Sequence, residues 1–282
     1  MGDETGGVAV QAPVAELMAL AERAARKAGA LIRDERPESW QVQTKSSPTD
    51  VVTQMDHAAE DLLNDVLLGA RPEDGLLGEE GGLQPGTSGL TWVVDPIDGT
   101  VNYLYGQPGY AVSVAVAVGD PLRPGHWTPV AGCVHSPGLG TTWTAGVGLG
   151  AFHEGRRLQL GAGPELSAAL VGTGFGYRAE RRRQQARVLA GLLPLIRDVR
   201  RIGSAAIDLC LVADGRLDAY YERGLHPWDV AAGMLVVREA GGQVLGLNGV
   251  PPSEHLLLAA PPALAETLRE RLQALDAGRD ED

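Results

Sequence analysis

The sequence predicts a mixed α/β protein. Three observations lead there: two early stretches space their apolar residues as helices do, a long middle stretch alternates apolar runs with turn residues as antiparallel strands do, and the last third interleaves both patterns. With 282 residues and 44% apolar content, the chain suffices for one large domain or two with a well-buried core.

Residues 1–12 are Gly-rich and acidic without a period, and they are expected to form a disordered tail, as are 277–282. From Pro13 onward, Val14, Leu17, Met18, Ala21, Ala25, Ala28, Leu31 and Ile32 keep helical spacing. A polar loop at 45–50 precedes a second helix marked by Met55, Ala59, Leu62, Leu63, Val66 and Leu67, which Gly69 and Pro72 end. Asp56 falls in its first turn, where a carboxylate suits the helix dipole. Leu76, Leu77 and Gly78 form a short strand leading to Glu79 and Glu80, and 83–90 reads as a flexible loop rich in Gly, Pro and Ser. Adjacent glutamates on a strand point to opposite sides, so only one of the two faces a pocket.

Residues 110–118, 130–135 and 141–152 read as largely antiparallel strands, with turns at Gly119-Asp120 and Pro137-Gly138. The Gly-rich segment 172–176 lacks both the G-x-G-x-x-G spacing and a G-K-[ST] ending, so it is read as a turn. Arg178, Arg181, Arg182, Arg183 and Arg187 make the one strongly basic run, read as the solvated start of a helix reaching Arg197. A strand at 199–202, a helix over 205–213 capped by Ser204 and a strand at 218–222 follow. Pro227 suits the first position of a helix, which makes His226 the cap and places Asp229 in the first turn. Gly241-Gly242 stops that helix, and strands at 243–247 and 255–259 and a helix over 262–275 close the chain.

A net charge of −12 argues against a nucleic-acid surface and implies that an anionic substrate needs a bound cation. Cys133 and Cys210 sit in apolar surroundings and are expected as buried free thiols. No apolar run approaches the ~20 residues of a membrane helix, and the first residues lack a secretory pattern, so the expected location is cytoplasmic, with no membrane partner.

The chemistry concentrates at Trp92 through Tyr103, W-V-V-D-P-I-D-G-T-V-N-Y. An apolar strand runs into Asp95, a proline-stiffened turn and Asp98. Two aspartates three residues apart on a turn can share a pocket, where their repulsion is costly unless a divalent cation bridges them. Gly99 lets the backbone approach a ligand closely, and the N–H groups of Gly99 and Thr100, where a helix opens, suit an anionic oxygen. His226 and Asp229 lack the surrounding His/Cys set of a zinc site, and an all-oxygen Asp/Glu set suits Mg²⁺.

The stretch D-P-I-D-G-T-V-N-Y resembles the first motif of the inositol monophosphatase family of magnesium-dependent, lithium-sensitive phosphatases. Lys45 to Asp50 with Asp56 following, Gly78-Glu79-Glu80-Gly81, and Trp228-Asp229-Val230-Ala231-Ala232 running on to Glu239-Ala240-Gly241-Gly242 match further motifs in the same order. The likeness spans about residues 13–275 and is nearest to the bacterial SuhB-type inositol-1-monophosphatases.

This resemblance implies the sugar-phosphatase α/β/α/β/α sandwich: one catalytic domain over 13–276, with an N-terminal sheet unit at about 13–160 and a C-terminal one at about 165–276. It implies hydrolysis of inositol 1-phosphate with two to three Mg²⁺ ions. Glu79, Asp95 and the Ile97 carbonyl would hold one ion, and Asp95, Asp98 and Asp229 a second. Glu79 and Thr100, the latter oriented by Asp56, would position and deprotonate water. Gly99 and Thr100 would bind phosphate, and Asp98, the backbone of Gly203, Ser204 and Ala205, Glu222 and Asp229 would bind the substrate's hydroxyls. Lys45 would tune the acidic cluster, and a homodimer is expected. Sibling activities on fructose 1,6-bisphosphate, histidinol phosphate or 3′-phosphoadenosine 5′-phosphate are the alternatives within the superfamily. A regulatory module that binds a protein through the 178–187 helix is the alternative of another class.

Overall fold

A computed structural model describes residues 12–38, 42–44 and 51–279. The chain opens with α1 (Val14–Asp34), which buries a stripe at Leu17, Leu20, Ala21, Ala24, Ala28 and Ile32. Strands β1 (Val42–Thr44) and β2 (Val51–Thr53) pair antiparallel and lead into α2 (Gln54–Ala70). Then come β3 (Gly75–Gly78), β4 (Gly82–Gln84), β5 (Leu90–Asp98), α3 (Thr100–Leu104), β6 (Ala111–Gly119), β7 (Trp127–Ser136), β8 (Thr141–Gly146), β9 (Gly150–His153) and β10 (Arg156–Arg157). These strands form an eight-stranded sheet in the order β10-β9-β8-β7-β6-β5-β3-β4, antiparallel except where β3 runs alongside β5.

The second half supplies β11 (Leu170–Thr173), α4 (Ala179–Leu192), β12 (Asp198–Arg200), α5 (Ala205–Ala213), β13 (Ala219–Glu222), α6 (Pro227–Glu239), β14 (Gln243–Leu245), β15 (Leu257–Ala260) and α7 (Pro262–Ala274). Its five strands are ordered β12-β11-β13-β15-β14, with β11 parallel to both of its neighbours.

The expected layering is present. Along β5, Trp92 and Val94 pack with α1 and α2, whereas Val93 between them packs with α5 and α6. Alternate residues point to opposite faces, and both faces are covered, so the strand reads as one apolar run. Helices α5 and α6 lie between the sheets, with Leu209, Ala231 and Leu235 sharing a core with Ala115 of one sheet and Tyr220 and Ala259 of the other. On the far face of the second sheet, Val188, Leu192, Leu264 and Leu268 pack on Ala219, Leu258 and Ala260. Cys133 and Cys210 are buried and unbridged. Among the described residues, no helix is long and apolar enough to cross a membrane.

Four local expectations are corrected. Part of the 83–90 loop is strand β4, which turns back on β3 at Gly82, a residue with φ +70°. The 141–152 strand is two strands, parted at Val147–Leu149, where Gly148 and Gly150 take positive φ. Gly172 and Thr173 end β11 rather than form a turn. At the C-terminus, Ala277 is buried and the Arg279 carbonyl accepts a hydrogen bond from Arg223, so 277–279 are packed against the core and not a free tail.

Candidate active site

In a regular strand, residues three apart face opposite ways, so Asp95 and Asp98 would diverge. The β5–β6 register shifts between them: Asp95 pairs with Ser113 and Asp98 with Ala111, leaving one extra residue on β5. That bulge re-aims the second carboxylate to the side of the first. Asp229, at the third position of α6, joins them, and carboxylate oxygens of Asp95, Asp98 and Asp229 lie within 4.8 Å of one another.

Each of the three is anchored through one oxygen. Asp95 accepts from the Ile97 N–H (3.0 Å), and Asp229 accepts from the His226 N–H (2.6 Å). Asp98 accepts from the Ser204 hydroxyl (2.6 Å) and the Ala206 N–H (2.7 Å) at the start of α5. Burial is the largest influence on all three, and carboxylate neighbours add to it. Asp98 is pushed up to about 6, while Asp95 and Asp229, beside Glu79 and Asp98, are held well above the ordinary carboxylate range. A divalent cation relieves this crowding, and an all-oxygen donor set with one oxygen of each aspartate left to offer fits a hard ion such as Mg²⁺.

Asp56 is fully buried at the start of α2, where its carboxylate accepts from the Thr53 N–H (2.8 Å) and hydroxyl (2.6 Å). Burial raises it to about 6 against those two bonds. The Thr100 hydroxyl reaches both Asp56 (3.3 Å) and the Ile97 carbonyl (3.1 Å). Asp56 therefore serves both readings, capping its helix and touching Thr100. Gly99 before it has φ +97°, and a Cβ there would stand 2.8 Å from the Gly109 carbonyl, so only glycine fits.

The cleft holds about 310 Å³ and is lined by Glu79, Asp95, Ile97, Asp98, Gly99, Thr100, Gly203, Ala205, Glu222 and Asp229. Of the expected site residues that the structure describes, Asp56 and Ser204 do not line it. Asp56 is fully buried and meets Thr100, and the Ser204 side chain is turned to Asp98 and accepts from the Ile207 N–H as the cap of α5. Glu222 accepts from the Tyr220 hydroxyl (2.6 Å) and is raised by burial to about 7. A Cβ on Gly174 would collide with the Glu222 carboxylate. Lys45 lies outside the described residues.

Sequence reasoning missed Glu60. One turn along α2 from Asp56, its carboxylate accepts from the Glu80 N–H (2.9 Å) and the Gly81 N–H (2.5 Å), holding the turn that carries Glu79. The available signal was the pair Gly78 and Gly81 around the two glutamates, since a Cβ at either would run into the Glu60 carboxylate. Asn102 was also missed; its amide donates to the Gly109 and Ile202 carbonyls, tying the two sheet units at the cleft.

A layered sandwich whose acidic cleft gathers aspartates from a strand bulge and a helix start is the framework of a phosphoric monoester hydrolase. The sequence profile of the inositol monophosphatase family matches residues 14–277. The inositol-1-monophosphatase SuhB of Mycobacterium tuberculosis is 46% identical over 279 residues, covering 92% of this chain and 94% of its own. A Pasteurella multocida relative named Nus factor SuhB is 38% identical over 90% of this chain and 95% of its own. The solved structure of Mycobacterium tuberculosis SuhB superposes with a TM-score of 0.78 at 44% identity, covering 94% of this chain and 98% of that one. The chain belongs to the inositol monophosphatase family.

Proposed function

We propose that the protein is a Mg²⁺-dependent, lithium-sensitive phosphatase that hydrolyses inositol 1-phosphate to inositol and phosphate. The observation that carries this reading is the convergence of the Asp95, Asp98 and Asp229 oxygens within 4.8 Å, beside the Thr100–Asp56 contact. The names of the mycobacterial relatives support the substrate.

Glu79, Asp95 and the Ile97 carbonyl would hold one Mg²⁺, Asp95, Asp98 and Asp229 a second, and Glu79 with water a third. When bound, the ions supply the positive charge that offsets the phosphate and makes water a nucleophile near neutral pH. The protein's own groups do the rest. With the Ile97 carbonyl engaged, the Thr100 hydroxyl donates to Asp56, so that as its oxygen takes a proton from water its own proton passes to the Asp56 carboxylate. Glu79 is the second acceptor at that position. The N–H groups of Gly99 and Thr100 orient phosphate oxygens. Water oxygen bonds to phosphorus as the ester P–O bond breaks, and the leaving alkoxide takes up a proton as inositol. Asp98, Asp229, Glu222 and the backbone of Gly203 and Ala205 pair with the substrate's hydroxyls; the carboxyl of Glu222, held by Tyr220, suits vicinal hydroxyls. Lys45 would temper the acidic cluster. The same reading takes residues 13–276 as one catalytic domain, working as a cytoplasmic homodimer.

The test is phosphate release from inositol 1-phosphate with Mg²⁺, with Mg²⁺ plus Li⁺, and with EDTA. Release should require Mg²⁺, fall with Li⁺ and disappear in Asp98→Asn. Release that persists in EDTA, or survives Asp98→Asn unchanged, overturns the assignment. A relative carries the name Nus factor SuhB, and the alternative beside the enzyme is a regulatory module that binds a protein through the 178–187 helix, on which Arg182, Arg183 and Arg187 are exposed. A pull-down in which glutamate at these three positions changes nothing would remove it.

A further inference from the structure

The Gly-rich segment that follows β11 enters the wall of the cleft, where Gly174, Phe175, Gly176 and Tyr177 all line it. Residues 174–178 belong to neither β11 nor α4, so side chains have to fix their course. One residue of α4 supplies most of that hold. Gln185 is 8% exposed; its Oε1 accepts from the Gly176 N–H (2.9 Å), and its Nε2 donates to the Gly174 carbonyl across a looser 3.4 Å. Only an amide meets both demands, an acceptor for one glycine and a donor for the other. Arg182, three residues earlier and exposed, adds a bond from its Nε to the Gly176 carbonyl (2.7 Å). Behind the segment, Gln185, Val188, Tyr221 and Glu222 enclose a void of about 10 Å³, room for one water at most. With the Glu222 carboxylate lying where a Gly174 Cβ would stand, the segment is packed between α4 and that carboxylate, and a shift on one side is passed to the other.

We propose that Gln185 is a positioning residue for substrate recognition: through Gly174 and Gly176 it holds the wall against which the Glu222 carboxylate is set, and so governs how well the site reads the substrate's hydroxyls. This rests on the reading of the protein as a phosphatase of inositol 1-phosphate and adds to that site a residue that does not line it. A carboxylate that pairs with hydroxyls selects by direction, and an oxygen moved out of line leaves a buried donor without its acceptor. The phosphate end of the site is built elsewhere. Asp95 and Asp98 stand on β5, and Thr100 opens α3, all in the first sheet unit. A loosened wall at 174–176 therefore weakens the grip on the alcohol and leaves the bond-breaking step at phosphorus as it was.

The experiment measures kcat and KM in Mg²⁺ for inositol 1-phosphate and for p-nitrophenyl phosphate, whose leaving group carries no hydroxyl for Glu222, in the full chain, in Gln185→Met and in Arg182→Gln. Methionine is close to glutamine in size and suits the Val188 and Leu256 side of the void, so it removes both bonds with little change in packing. Arg182 is exposed, so its variant keeps the fold even where Gln185→Met loosens it. KM for inositol 1-phosphate should rise about tenfold in Gln185→Met and about threefold in Arg182→Gln, with kcat within about twofold in both. For p-nitrophenyl phosphate kcat/KM should stay within about twofold. Equal losses on the two substrates, or a lower melting temperature with KM for inositol 1-phosphate unchanged, overturn the role of Gln185 and leave the phosphatase reading standing. Release from p-nitrophenyl phosphate alone overturns inositol 1-phosphate as the substrate and the role of Gln185 with it, and release from neither overturns the hydrolase reading as well.

Discussion

Replacing Glu60 with glutamine tests whether the turn behind Glu79 is held by a charge. The carboxylate accepts two backbone N–H groups, from Glu80 and Gly81, and it is 5% exposed. Glutamine keeps one acceptor oxygen and presents an amide N–H₂ to the other donor, so one bond is lost and one buried N–H faces another. A hydrogen bond to a charged group is worth about 1.5–3 kcal/mol, and a stranded buried donor costs about 1–3 kcal/mol. The native turn should therefore lose up to about 2.5–6 kcal/mol of support, part of it recovered by the turn shifting toward solvent. Because Glu79 sits on that turn, its carboxylate moves with it. The expected outcome is a lower melting temperature, together with a rise of about tenfold or more in the Mg²⁺ concentration that gives half-maximal phosphate release. Saturating Mg²⁺ should recover part of the rate. Magnesium titrations of phosphate release, run beside thermal melts, separate the two effects. A variant that melts lower yet keeps its Mg²⁺ requirement unchanged would refute the link between Glu60 and Glu79 and leave Glu60 as packing alone.

Three further outcomes are expected. Gly174→Ala should retain the fold but push Glu222 out of place, raising KM for inositol 1-phosphate by about tenfold, since an added methyl in a closed site costs about 1–3 kcal/mol; an unchanged KM would show that Glu222 does not read the substrate. Ser204→Ala should lower stability by about 1 kcal/mol through loss of the α5 cap and should also weaken Mg²⁺ binding measured by calorimetry, because Asp98 loses a donor. The third concerns pH without metal. Asp56 and Asp98 titrate near 6 in the folded protein against an ordinary 3.8, so between those values the folded state holds more protons than the unfolded one, and stability in EDTA should fall as pH rises from 4 to 7. Mg²⁺ requires the ionised groups, so the gain in melting temperature on adding it should be larger at pH 8 than at pH 5; an equal gain at both would show that the ions do not bind this cluster.

The sequence made the helical layers and the aspartate motif legible because both are local patterns. The apolar spacing of α1 and α2 reports a buried stripe whatever lies opposite, and Asp95 and Asp98 lie on one short stretch of strand, where the expected turn is a bulge, while Asp229 lies at its own helix start. What stayed hidden depends on contacts distant in the chain. Glu60 looks like any polar residue of a helix until the backbone of Glu80 and Gly81 arrives some twenty residues later. The turn expected at Gly172 is strand because its backbone pairs with Arg200 on one side and Tyr220 on the other, with Leu217, Asp208 and Tyr220 side chains packed where a Cβ would stand, which no local rule anticipates. The basic run was sorted by composition as a solvated face, and only the packing of α4 against the second sheet turns Arg178 and Arg181 toward the cleft.

The bond from Asn102 to the Ile202 carbonyl spans 100 positions of the chain, and that from Ser204 to Asp98 spans 106. A site closed by such distant partners cannot assemble in either sheet unit alone, because Asp95 and Asp98 come from one half and Asp229 and Glu222 from the other. Contacts of such long sequence separation form late, after their loop-closure entropy has been met. Catalysis is thus expected to be the last property the chain acquires during refolding and the first it loses when the halves part. Recovery of phosphate release should follow the slowest refolding phase, while helix content returns earlier.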